Sequence, residues 1–190
     1  FIGNKESIVK QINAFVNSKI TSDNKLTLFD AFCGTGSVSD RLKDRFNIII
    51  NDNLKWATVY TAGRVYAPIC YFKRLGLNPF EYLNQSRDEI HGFIYKTYAP
   101  TESDRMYFTS KNAARIDYFR NQIEEWYRNE LLTEPEYMFL LACLIESVSK
   151  VSNTAGVYGA FLKKLSLIHI SEPTRQAVHT ESIRNTISFA

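Results

Sequence analysis

Leu26-Thr27-Leu28-Phe29-Asp30-Ala31-Phe32-Cys33-Gly34-Thr35-Gly36-Ser37 is the stretch on which the fold turns. Leu26 to Phe32 is an apolar run that reads as a buried strand, and two glycines follow it at once. Ser37 stands where it could N-cap a helix carrying Val38 and Leu42. Asn47 to Asn53 then contains Ile48-Ile49-Ile50, a second, β-branched strand. Strand, glycine loop, helix and strand make a βαβ unit, whose two strands are expected to be parallel and buried.

Working outward, Ile8, Ile12, Phe15 and Val16 recur at helical spacing and predict an amphipathic helix over roughly Lys5 to Lys19. Downstream of Leu54 the texture becomes helical. Trp56 to Tyr66 and Asn78 to Ser86 read as short helices, with Asn78-Pro79-Phe80-Glu81 as the start of the second, and Ala99 to Thr109 reads as a polar loop. Asn112 to Asn129 places Ile116, Phe119, Ile123, Trp126 and Tyr127 on one face, and Glu134 to Val151 is apolar nearly all round, as a buried helix is. The expectation is an α/β chain in which residues 1–70 form part of a Rossmann-like domain and residues 71–165 a mainly helical lobe.

Residues 166–190 stand apart. The string from Leu165 to Arg175 resembles the conceptual translation of a sequencing-library adapter, so this tail is expected to be foreign to the fold. The opening on Phe1 rather than methionine is expected to reflect a start that lacks a few residues.

Composition narrows the function classes. With 190 residues, 45% of them hydrophobic and 23% charged, the chain can build a sizeable core and is not disordered. A net charge of +3 permits nucleic-acid binding without requiring it. Cys33, Cys70 and Cys143, like His91, His169 and His179, are too scattered for metal-ligand spacing, so no metal site is expected. The thiols read as free, in a reducing cytoplasm. The longest apolar run, Tyr137 to Ile145, is far too short to span a bilayer.

The glycine loop carries the chemistry. Gly34 and Gly36 let a ligand approach the backbone, and the helix that follows offers its N-terminal amides. A dinucleotide site would continue to a third glycine or an alanine, but Ser39 stands there instead, and Asp30 would repel a pyrophosphate. S-adenosylmethionine has no phosphate and carries an ammonium and a sulfonium, so an acid beside the loop favours it. Asp52, at the end of the second strand, is placed to hydrogen-bond ribose hydroxyls.

Phe1-Ile2-Gly3-Asn4-Lys5, then Asp30 to Gly36, then Asn51-Asp52-Asn53, in that order and spacing, resembles the Dam-like (D12-class) DNA adenine methyltransferases. The resemblance covers about Phe1 to Lys164 and is most specific in the first 53 residues. It implies a class I methyltransferase domain, in which Phe1 and Lys5 contact the cofactor and Phe32 and Gly34 line its pocket. It further implies double-stranded DNA as the partner and a helical target-recognition lobe from Tyr71 onward. Near the end of that lobe, Ser149 to Gly159 looks like the family's Asn- and Gly-bearing stretch, which makes Asn153, Thr154 and Tyr158 candidate DNA contacts.

A second set of candidates comes from charge. Arg105, Lys111, Arg115, Arg120 and Arg128, interleaved with Tyr107, Phe108 and Tyr118, could contact phosphates, Arg115 foremost. Asp117, Glu124 and Glu125 in the same stretch equally suit a solvated helix face.

One element of the family pattern is missing. Methylating an exocyclic amine requires the flipped base to be held and its NH2 hydrogen-bonded, which the family does with Asp/Asn-Pro-Pro-Tyr/Phe. The chain has no such tetrapeptide, and Asn78-Pro79-Phe80-Glu81 lacks the second proline. No catalytic residue is therefore assigned, and the chain as written is expected to be inactive. Pro68-Ile69-Cys70 is not the Pro-Cys nucleophile of cytosine-C5 chemistry. The alternatives are a methyltransferase of another substrate class and a non-catalytic DNA-binding fragment.

Overall fold

Two short strands, β1 (Thr27–Asp30) and β2 (Asn47–Ile50), pair in parallel with Thr27 opposite Asn47 and Asp30 opposite Ile50 in the computed structural model. The structure describes residues 5–22 and 24–154. The strands are shorter than the sequence suggests, but the pairing reaches beyond them: Asn47 N donates to Leu26 O at 2.8 Å and Cys33 N to Asn51 O at 2.9 Å. Helix α1 (Val9–Lys19) precedes the unit and α2 (Ser37–Leu42) crosses between its strands.

The expected burial of both strands is corrected. Leu28, Asp30, Ile48 and Ile50 are half-buried, while Phe29 and Ile49, directly paired on the opposite face, are 62% and 53% exposed. Helices α2 and α3 (Lys55–Tyr66) lie against β2, and no described element covers the other face. Ser37 is also not the N-cap of α2. Gly36, at φ +78°, takes that position, and Ser37 is the first helical residue.

After α3 and a 3-10 turn (Ala67–Ile69) come α4 (Pro79–Gln85), α5 (Phe93–Tyr98), α6 (Ser110–Arg128) and α7 (Glu134–Val151). Local chemistry starts three of them. Asn78 Oδ1 accepts from Phe80 N and Glu81 N with Pro79 at the first helical position, Thr109 accepts from Asn112 N, and Thr133 with Glu136 makes a reciprocal capping box. Helix α5, which the sequence did not suggest, starts on a distant acid. Asp117 of α6 accepts from Ile94 N at 3.0 Å and Tyr95 N at 2.8 Å.

The main core lies among α4, α6 and α7, where Leu83, Phe119, Ile123 and Leu140 are fully buried. Tyr95, Phe108 and Ile116 centre a second cluster beneath α5. Helix α7 also packs along α3, so the last helix rests directly on the one that follows β2. The two come close at Gly63, where a Cβ would stand 2.3 Å from Ala142 Cβ and 2.8 Å from Met138 O. Only glycine permits that approach.

Candidate functional site

The loop between β1 and α2 folds on two glycines with different tasks. Gly34 has φ +53° and nothing within 4 Å of where a Cβ would sit, so its backbone is open to a ligand. Gly36 faces inward, where a Cβ would meet Thr61 Cγ2 and Oγ1 at 2.8 Å. Its smallness serves the packing of the loop on α3, and Thr61 Oγ1 donates to Gly34 O at 3.0 Å from the same place.

Two carboxylates flank the loop. Asp52 accepts from Gly34 N through Oδ2 and from Leu54 N through Oδ1, both at 3.0 Å. The Leu54 and Gly34 amides hold its carboxyl below the usual range, so it is an anion at neutral pH. Asp30 accepts from Ser39 Oγ at 2.6 Å. Burial pushes the Cys33 thiol up, and the two aspartates push it further. Two carboxylates beside the loop favour a cationic ligand over a phosphate, with Lys5 the one cation among the residues that line the cleft.

Beside it opens a cleft of about 60 Å3 lined by Lys5, Asp30, Phe32, Cys33, Gly34, Thr35, Ser37 and Val38. Of the sequence-derived candidates, Lys5, Asp30, Phe32 and Gly34 meet there. Asp52 touches the cleft through Gly34, and Gly36 shapes the loop from behind. Phe1 lies outside the described residues. Phe32 is 80% exposed, an aromatic face held toward solvent at the rim.

Sequence reasoning missed the support beneath the loop. Arg64 of α3, 5% exposed, donates to Thr35 O at 2.8 Å, to Asp40 Oδ2 at 2.8 Å and through both terminal nitrogens to Glu6 Oε1 at 3.1 Å. Asp40 and Glu6 hold its pKa up against the burial that would lower it. The available signal was a lone cation after Lys55 in an otherwise uncharged helix.

The candidate DNA contacts fare differently. Arg115 is corrected: it is 3% exposed, and its guanidinium donates to the carbonyls of Ser86, Asp88 and Leu83 while lying 4.4 Å from the Phe119 ring centroid. A side chain so buried ties the chain after α4 to α6 and lies out of reach of a phosphate. Phe108 and Tyr118 are likewise core residues, whereas Arg105, Lys111 and Arg120 are exposed. Asn153 is 3% exposed; its N donates to Tyr107 O at 2.8 Å and its Nδ2 to Met106 O at 2.9 Å, which pins the end of α7 to the loop before α6. Thr154 is half-buried with its hydroxyl 3.3 Å from Ser152 Oγ, and Tyr158 lies outside the described residues.

Among the described residues no group of three or more His, Cys, Asp or Glu side chains could hold a metal ion, and no helix is long and apolar enough to cross a membrane.

Comparison with known proteins agrees with the loop's chemistry. The model of the D12 class N6 adenine-specific DNA methyltransferases matches residues 1–189. The modification methylase LlaI of Lactococcus lactis subsp. lactis is 35% identical over 170 residues, covering 86% of this chain and 27% of that protein. The type II methyltransferase M.FokI of Planomicrobium okeanokoites is 33% identical, over 86% of this chain and 26% of its own length. M.NlaIII of Neisseria lactamica is 38% identical over 137 residues, 72% of this chain and 40% of that enzyme. The chain thus spans about a quarter of the length of the first two relatives. No solved structure gives a significant match. An aspartate-flanked glycine loop on a parallel βαβ unit and a family match running from end to end lead to one assignment: this chain belongs to the D12 class of N6 adenine-specific DNA methyltransferases.

Proposed function

We propose that this chain forms the S-adenosylmethionine-binding part of a DNA adenine-N6 methyltransferase from a restriction-modification system. The observation that carries the reading is the pair Asp30 and Asp52 set about a glycine loop left open at Gly34. When bound, the cofactor supplies an electrophilic methyl group on a cationic sulfur.

The residues suit that group. Gly34, without a Cβ, admits a ligand to the backbone. Asp30 offers a carboxylate to the cofactor's ammonium. Asp52, kept ionised by two backbone amides, has lone pairs left for ribose hydroxyls. Phe32 presents an aromatic face, and Lys5 brings the N-terminal segment to the cleft with Phe1 just ahead of it in sequence. A space of about 60 Å3 takes only a fraction of so large a ligand, so the chain by itself should hold it weakly.

In the same reading the βαβ unit is the first part of a Rossmann-like class I methyltransferase domain, and residues 71–165 form the target-recognition lobe facing double-stranded DNA. Arg105, Lys111 and Arg120 are among the exposed cations there that could meet phosphates. Asn153 acts by holding the end of α7 against the loop before α6, next to Thr154.

Equilibrium dialysis with methyl-labelled S-adenosylmethionine tests the proposal. Weak, saturable retention is expected, lost in Asp52→Ala. Retention unchanged by that substitution, or displaced by a dinucleotide in preference to S-adenosylhomocysteine, would refute it.

A further inference from the structure

Two sides of the cleft converge on one buried cation. Thr35 and Ser37 line the cleft on the loop side, and Lys5 lines it from the N-terminal segment. Arg64 donates to Thr35 O at 2.8 Å, while Glu6, the neighbour of Lys5, accepts on Oε1 from Arg64 at 3.1 Å and from Ser37 Oγ at 2.9 Å. The two acidic partners of Arg64 are unequal. The Asp40 side chain is 12% exposed and that of Glu6 44%. Asp40 therefore keeps the buried guanidinium neutralised inside the fold, and Glu6 is the partner that can let go without stranding a charge.

We propose that Glu6 and Arg64 form a clasp that holds the Lys5-bearing segment against the glycine loop and so governs how firmly a ligand is kept in the cleft. Both are positioning residues, since neither Glu6 nor Arg64 lines the cleft itself. The proposal rests on the cofactor reading above for the identity of the ligand, but the clasp exists or fails on its own geometry. Its partly exposed arm is an ion pair open to screening by salt.

The test compares the 190-residue chain with Glu6→Ala and Glu6→Gln, by amide hydrogen exchange without ligand and by dialysis against labelled S-adenosylmethionine. In Glu6→Ala the amides of α1 should exchange faster. The dissociation constant should rise roughly threefold to tenfold, as expected for losing a partly buried, charge-assisted contact. Glu6→Gln should recover part of the loss because its amide oxygen still accepts, and the gap between wild type and Glu6→Ala should narrow as sodium chloride is raised. A merely structural role would not produce that salt dependence. Should Glu6→Ala fail to fold, Glu6→Gln carries the same comparison.

Unchanged exchange in α1 overturns the clasp whatever binds in the cleft. Faster exchange with unaltered affinity overturns its role in holding ligand. A wild-type chain that retains no S-adenosylmethionine refutes the cofactor reading and that role together, and the exchange data still decide whether the clasp exists.

Discussion

At the residue scale, a carboxylate buried among amides tests the structure most sharply. Glu136 accepts from Thr133 N at 2.9 Å and Thr133 Oγ1 at 2.8 Å through one oxygen, and from Phe72 N at 2.5 Å through the other. Burial acts to raise its pKa, but the bonds from Thr133 and the Phe72 and Tyr71 amides outweigh it and the net shift is downward. A depressed native pKa means that the stabilisation is fully present above the unfolded carboxyl value of 4.5 and disappears as pH falls through the native one. Glu136→Gln turns one acceptor into a donor facing an N–H group, at a cost of about 1–3 kcal/mol. Thermal unfolding followed at pH 7 and again near pH 3 should show a gap between the two proteins that shrinks in acid; a gap independent of pH would mean the charge plays no part. Asp30 and Asp52 were legible in the sequence because their placement follows from position beside a glycine loop. Arg64 was not. Its partners Thr35, Asp40 and Glu6 lie 29, 24 and 58 residues away, and no spacing rule connects them. Arg115 misled for the same reason, since its charge suggested a surface and only the fold supplies the carbonyls that bury it.

At the scale of elements, periodicity carried most of the reading. Helices α4, α6 and α7 begin where Asn78, Thr109 and Thr133 cap them locally, so their presence could be read from the chain alone. Helix α5 begins on Asp117, 22 residues from Tyr95, and nothing in its own sequence announces that cap. The contact between α3 and α7 was equally hidden, because a glycine in a helix ordinarily reads as a weak point. Gly63→Ala ought to gain up to about 1 kcal/mol from helix propensity. A methyl group 2.3 Å from Ala142 Cβ instead forces the helices apart, and overpacking of this kind costs roughly 1–3 kcal/mol or more. The melting temperature of Gly63→Ala should therefore fall, by about 2–4 °C per kcal/mol in a chain of this size. Adding Ala142→Gly should restore part of the loss. An unchanged or higher melting temperature would show that α3 and α7 do not approach so closely.

At the scale of the whole molecule, binding and chemistry come apart. On the proposed reading the glycine loop takes the cofactor, and the 190 residues contain no Asp/Asn-Pro-Pro-aromatic tetrapeptide to hold a flipped adenine amine. The 190-residue polypeptide should transfer no labelled methyl group to duplex DNA above a protein-free blank; transfer abolished by Asp52→Ala would refute this. The same division shows in the sheet. Phe29 and Ile49 form a cross-strand pair on a face that no described element covers, and each strand has an outer edge unpaired among the described residues. An apolar face beside open edges is a template for association between copies. Replacing both residues with threonine keeps a strand-favouring side chain at both positions while removing most of the apolar surface. If the face is bare in solution, the double variant should scatter less light on concentration and melt within the small range typical of surface substitutions, about 0.5 kcal/mol either way. If instead another part of the protein covers the pair, the variant should lose several degrees of stability with no gain in solubility. The comparison thus decides whether the two-stranded sheet is a finished surface or half of a core.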